Sequence, residues 1–189
     1  MMKQRLVAAV TGASGSLLAK CIVEKSQFPI VLVASDWGKR VYETECGPFQ
    51  TLAEKAAEVN DNGDLFAPIA SGSTETVGMI VAPCSASTLA RIAHGLGDDL
   101  IARAAHCHLK EQRKLILCLR ESPLTLIDIN NAAAAAAAGA MIMPVSFPFY
   151  MMKDRDPSTV TLLELMNVFA ERALSLFGQK PSVSWEDIR

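Results

Sequence analysis

Four short runs with no polar face recur along this chain: residues 6–10 (LVAAV), 29–34 (PIVLVA), 78–82 (GMIVA) and 114–119 (KLILCL). A strand that is apolar on both faces has to be covered on both sides, which is the condition of a parallel sheet lying between helices. The first three runs are followed at once by Thr11, Ser35 and Pro83 and the fourth by Arg120-Glu121-Ser122-Pro123, and helix-like stretches separate the runs, covering residues 17–23, 37–46, about ten residues after Ser85, and 100–112. A short fifth run, residues 141–143, is stopped by Pro144. Alternation of this kind specifies an α/β fold, a three-layer α/β/α sandwich around a mostly parallel, Rossmann-like (flavodoxin-like) sheet.

The remaining segments follow from local rules. Residues 132–138 are seven consecutive alanines followed by Gly139, which reads as the end of a helix with a glycine cap. Residues 159–176 carry an amphipathic helical pattern, and residues 51–59 are also read as a helix. No repeat or long linker splits the 189 residues, so one domain is expected over residues 1–178, with residues 179–189 as a C-terminal tail. Such a chain buries roughly 70% of its unfolded surface without a staple.

Composition narrows the function classes. Half the residues are hydrophobic and a fifth are charged, with 18 basic against 20 acidic side chains. No basic stripe interleaved with aromatics marks a nucleic-acid surface. The five cysteines are scattered and form no C-x-x-C, a usage that fits a reducing cytoplasm better than a secreted disulfide framework or a structural zinc site. The apolar stretch at residues 6–10 is too short for a signal peptide, and residues 132–145, broken by Gly139 and Pro144, are too short to span a bilayer.

In a parallel α/β sheet, ligands collect beyond the carboxyl ends of the strands. The polar clusters of this sequence fall there. Gly12-Ala13-Ser14-Gly15 follows the first strand, Ser35 the second, and Ser85-Ala86-Ser87-Thr88 the third. A glycine turn at a helix N-terminus suits a phosphate, although neither G-x-G-x-x-G nor a P-loop is present, and an ordinary tight turn with Ser14 as a helix cap accounts for the same residues. Three hydroxyl-bearing turns along one edge nevertheless suggest an uncharged bed suited to a flavin such as FMN.

Among the cations, Arg103, Lys110 and Arg172 are individually compatible with solvated surface. Arg120 differs, because it ends an apolar strand beside Glu121, where a charge needs a partner. Glu43 and Glu45 read as solvent-facing, the three histidines lack metal-ligand spacing on one helical face, and the methionines read as packing. Tyr150 follows Pro148-Phe149 in the loop after the last strand, placed to close over a ligand.

Taken together, the segments Thr11-Gly12-Ala13-Ser14-Gly15, Ala70-Ser71-Gly72-Ser73, Ala82-Pro83-Cys84-Ser85 with Thr88, Arg103-Ala104-Ala105 leading to Leu109-Lys110-Glu111, Arg120-Glu121-Ser122-Pro123-Leu124 and Pro148-Phe149-Tyr150 resemble the UbiX-type flavin prenyltransferases, within the wider FMN-binding flavoprotein decarboxylase-like group. The resemblance implies transfer of a dimethylallyl group from dimethylallyl phosphate to N5 and C6 of reduced FMN, giving prenylated FMN for a UbiD-type decarboxylase. It also implies a homododecamer with sites between subunits. Gly12, Ala13, Ser14, Ser35, Ser85, Ala86, Ser87, Thr88 and Arg120 would hold FMN; Arg103, Lys110, Tyr150 and Arg172 would hold the prenyl phosphate; and Ser14, Glu45 and Glu121 would be the catalytic groups. Two other functions remain open at this point: an FMN-dependent oxidoreductase or electron-transfer protein of the same fold, and a flavin-binding scaffold. Residues 151–156 and the spacing from Pro157 to Arg172 are longer than the family pattern.

Overall fold

Six strands, β1 (Arg5–Val10), β2 (Ile30–Ala34), β3 (Glu58–Asp61), β4 (Thr76–Cys84), β5 (Leu115–Leu119) and β6 (Met141–Ile142), form one sheet in the order β3-β2-β1-β4-β5-β6. Every pairing is parallel. The structure is a computed structural model and describes residues 4–182 and residue 186. Among the described residues seven α-helices accompany the strands: α1 (Leu17–Lys25), α2 (Asp36–Cys46), α3 (Gln50–Ala53), α4 (Ala86–Ala93), α5 (Leu100–Lys110), α6 (Leu126–Ala137) and α7 (Leu162–Ser175).

The strands carry no polar face because both faces are buried. Alternate residues of β1 point to opposite sides, as the two-residue period of a strand requires. Leu6, Ala8 and Val10 join a core with α1 and α7, whereas Val7 and Ala9 join a second core with α4 and α5. The sandwich is therefore the one the sequence specifies, with two hydrophobic layers sharing a single sheet.

Two expectations need correction. Residues 51–59 do not form one helix: α3 ends at Ala53 and β3 begins at Glu58. As an edge strand of sequence EVND, β3 is only half-buried on alternate residues, so it lacks the apolar run that announces the inner strands. The last helix starts at Leu162 rather than 159, because Thr161 and Glu164 close a reciprocal capping box there and Pro157–Thr159 forms a separate 3-10 turn. Gln179 is buried and bonded to Lys25 and Gln27. Residues 183–185 and 187–189 lie outside the described residues.

No helix of the described residues is long and apolar enough to cross a membrane. All five cysteines are free.

Candidate active site

The order of the strands reverses between β1 and β4, so the chain leaves their carboxyl ends in opposite directions and opens a crevice there. Thr11 closes its floor. Its buried hydroxyl donates to the Pro83 carbonyl at 2.7 Å and accepts from the Ser85 amide at 2.9 Å. Ser85 in turn caps α4, accepting from the Thr88 amide at 3.3 Å, and its hydroxyl lies 3.2 Å from that of Ser87 and 3.0 Å from that of Thr88. Ser35 caps α2 in the same way, accepting from the Gly38 amide at 3.0 Å.

Close backbone approach draws these turns together. A Cβ on Gly12 would stand 2.7 Å from the Trp37 Cβ, and one on Gly38 would collide with the Val10 carbonyl. The first turn of α2 therefore lies directly against the loop leaving β1. Helices α1, α2 and α4 all begin at this end of the sheet, and their N-termini favour negative charge.

The turn before α1 is held by an acid. Gly15 sits at φ +99°, a conformation natural to glycine. Its amide donates to both Glu45 oxygens at 3.1 and 2.9 Å, and the Ser16 amide donates to Glu45 Oε2 at 2.7 Å. Glu45 is thus exposed, as the sequence suggests, yet its carboxylate folds back onto the positive end of α1. The α1 cap position is Ser16 rather than Ser14, and the Ser16 side chain makes no capping bond; its buried hydroxyl is left without a partner. Ser14 remains exposed at the crevice.

Arg120 enters from the end of β5. Its amide bonds the Cys84 carbonyl at 3.0 Å and its Nε donates to the Ser14 carbonyl at 3.1 Å, so the guanidinium is braced across the crevice. Glu121 is exposed beside it and accepts from the Ser122 amide at 3.2 Å. These groups border a cavity of about 680 Å³. Ser14, Gly15, Glu45 and Arg120 form its polar side, and Leu17, Val145, Phe147, Leu162 and Met166 its apolar side. Sequence reasoning did not single out that apolar wall. Its one signal is the i, i+4 spacing of Leu162 and Met166 at the start of α7.

Other expected residues lie elsewhere in the chain. Helix α5 runs back against the strand direction, so Lys110, at its end, lies at the amino end of the sheet. Arg120 lies beyond the opposite end of β5, a strand of five residues, or about 16 Å. Lys110 pairs with Glu111 at 2.6 Å and faces Gly72, and that ammonium holds the Glu111 carboxyl below its usual range. Arg103 Nε donates to the Ala70 carbonyl at 3.0 Å, and Arg113 reaches the Gly72 and Thr74 carbonyls, both at 2.6 Å. Arg172 is exposed on α7, donating to Ser175 Oγ at 3.0 Å, about 9 Å along the axis from Met166. Tyr150 is half-buried in the 3-10 turn Phe149–Met152. A single chain thus carries two separate clusters: Ser14, Glu45, Arg120 and Glu121 at one end of the sheet, and Arg103, Lys110 and the 70–74 loop along α5.

Cys84, at the end of β4 next to the crevice, is fully buried. Burial pushes its thiol up to about 12, which keeps it protonated at neutral pH.

Residues 1–156 match the Flavoprotein family. The flavin prenyltransferase UbiX of Deinococcus radiodurans is 43% identical over 178 residues, covering 92% of this chain and 88% of that protein. The flavin prenyltransferase UbiX of Methanocaldococcus jannaschii is 33% identical, covering 92% and 93%. Among solved structures, AnUbiX (PadA1) in complex with FMN and dimethylallyl pyrophosphate superposes with a TM-score of 0.90 at 34% identity, covering 97% of each chain. A dodecameric FMN-dependent UbiX-like decarboxylase from Escherichia coli O157:H7 superposes with a TM-score of 0.88 at 34% identity, covering 96% and 98%.

Proposed function

Since this chain belongs to the flavin prenyltransferase family, we propose that it joins the dimethylallyl group of dimethylallyl phosphate to N5 and C6 of reduced FMN. The observation that carries this reading is the two-sided cavity, in which an amide, hydroxyl and guanidinium edge faces a wall of aliphatic and aromatic side chains. A flavin head and a branched five-carbon chain need those two surfaces side by side. An electron-transfer flavoprotein needs only the first.

The crevice suits FMN on its own terms. Gly12 and Ala13 bring backbone close, the N-termini of α2 and α4 favour a phosphate, and Ser14, Ser35 and the Ser85–Ala86–Ser87–Thr88 turn offer neutral hydrogen bonds. Arg120 adds one positive charge at the edge. When bound and reduced, the flavin supplies the two nucleophilic positions.

The chain's own groups handle charge and protons. As the carbon–oxygen bond of the donor breaks, its electron pair leaves with the phosphate, which requires cations already in place. Arg103, Lys110, Tyr150 and Arg172 are the groups for it. Lys110 lies too far from Arg120 to act with it in the same chain, so we assign it, together with Arg103 of the same helix, to the cavity of a neighbouring subunit. The dodecameric Escherichia coli relative supports a homo-oligomer in which such sharing occurs. We assign Glu121, exposed beside Arg120, to take up the proton released as the new bonds form, and Ser14, exposed at the crevice, would offer a hydrogen bond to a bound flavin. Glu45 holds the Gly15–Ser16 turn on which Ser14 sits.

The product passes to a separate UbiD-type decarboxylase, and the free, mostly buried cysteines fit a reducing cytoplasm. Wild type and Glu121→Gln test the proposal. Both are expected to bind FMN equally, while the rate of the absorbance change on adding dimethylallyl phosphate to the reduced protein falls at least about 100-fold in the variant. Equal rates would remove Glu121 from the chemistry, and no absorbance change in wild type would contradict the function itself.

A further inference from the structure

Helices α1 and α7 lie side by side and run in the same direction. At their first turns Leu17 faces the cavity from α1 and Leu162 and Met166 face it from α7. At the far end Lys25, the last residue of α1, meets Glu171 of α7 at 2.8 Å. We propose that the Lys25–Glu171 pair is a positioning device that sets how far the apolar wall of α7 stands from the polar side of the cavity, and so how tightly the dimethylallyl chain is held. The inference rests on the prenyl-donor reading of that cavity.

Three observations support it. First, α7 belongs to no sheet and is reached through residues 143–161, which contain only two 3-10 turns. Its seat on the body must come from its own contacts. Second, α1 and α7 share one apolar core, to which α1 gives Leu18, Cys21 and Ile22 and α7 gives Phe169, Ala170 and Ala173. Such packing is strong but not directional, and small side chains leave axial sliding weakly specified. Third, the polar ties at the far end are directional and nearly complete. Glu171 is only 9% exposed. One of its oxygens takes the Lys25 ammonium, and the other takes the amide of Ser182 at 2.8 Å as well as its hydroxyl. Gln179 then bonds the Lys25 carbonyl at 2.8 Å and the Gln27 amide at 2.9 Å, locking the residues after α7 to the end of α1.

Lys25 is half-exposed but the Glu171 carboxylate is buried, and burying it costs desolvation that an apolar side chain would avoid, so its use lies in fixing one arrangement rather than in raw stability. Met166 lies five residues from Glu171, about 7.5 Å along the same rigid helix, so a shift at the pair is transmitted to the wall. Displacements near 1 Å are enough to change how a reacting chain is held.

The test uses the full-length protein loaded with oxidised FMN, which lacks the nucleophilic positions of the reduced flavin and so leaves a bound donor intact. Affinities for dimethylallyl phosphate and for FMN are measured by calorimetry for wild type, Glu171→Gln, Lys25→Met and the charge-swapped Lys25→Glu/Glu171→Lys double variant, together with amide hydrogen exchange over residues 162–166. Each single variant is expected to weaken donor binding about tenfold, to leave FMN affinity within about twofold, and to raise exchange at 162–166. The double variant restores the ion pair but not the two Ser182 bonds, which a lysine at 171 cannot accept, so it is expected to recover only part of the loss. Single variants with lowered melting temperature but unchanged donor affinity and exchange would overturn the proposal, as would parallel losses for FMN and donor. Absence of donor binding by wild type would instead contradict the functional reading, and the exchange data would still decide whether the pair positions α7.

Discussion

The buried Thr11 hydroxyl accepts from the Ser85 amide at 2.9 Å while donating to the Pro83 carbonyl, so one side chain joins the two loops that diverge at the reversal of the sheet. Replacing it with valine keeps the shape and removes both bonds, leaving a buried amide and carbonyl unpaired. Thr11→Val is expected to lose about 1–3 kcal/mol of stability and to weaken FMN binding, because the α4 cap at Ser85 loses its anchor. Urea denaturation and flavin titration check the two effects separately. Unchanged FMN affinity in a destabilised variant would confine Thr11 to a structural role.

The two clusters within one chain make a subunit-mixing experiment informative. Arg120→Met and Lys110→Met are each expected to be almost inactive alone. In oligomers reassembled from an equal mixture, a cavity taking Arg120 from one chain and Lys110 from another is intact in about a quarter of cases, as random assembly of symmetric copies dictates. Recovered activity near that fraction is the expected result. If the mixture stays as inactive as its components, the two residues do not serve a shared cavity.

His108 gives the protein an acid-sensitive point. It is buried, its Nδ1 donates to the Ala104 carbonyl at 2.7 Å, and its Nε2 accepts from the Thr76 hydroxyl at 2.8 Å. Burial, with a smaller contribution from nearby Arg113, lowers its pKa. In the unfolded chain a histidine titrates near 6.5. The unfolded state therefore binds more protons just below that pH, and the stability tied to neutral His108, complete above about 6.5, is lost as pH falls toward the folded-state value. Denaturation midpoints measured between pH 7.5 and 5.5 are expected to fall with a slope of at most about 1.4 kcal/mol per pH unit from this residue, and His108→Gln is expected to flatten the profile. A variant with the wild-type slope would assign the acid sensitivity elsewhere.

What was legible in the sequence follows from which interactions are local. Inner strands buried on both faces announce themselves as apolar runs, and the turns at their ends fall at the crevice because the topology puts them there. The edge strand β3, with its half-exposed EVND, has no such pattern. Glu45 reads as solvent-facing because helical periodicity reports the face a residue lies on, not that a carboxylate at a helix end folds back onto Gly15 and Ser16, some thirty residues earlier. The cations were visible as candidates, but only the direction of α5 separates Lys110 from Arg120. The apolar wall escaped notice for a similar reason. Phe147 and Met166 belong to segments whose contact depends on how α7 docks.

The account stands most directly on the mass of the flavin. Protein incubated without oxygen with reduced FMN and dimethylallyl phosphate, then denatured, is predicted to release a flavin heavier by one dimethylallyl unit, in an amount that grows with time and depends on Glu121. Recovery of unmodified FMN alone, from protein that demonstrably binds both compounds, would contradict it.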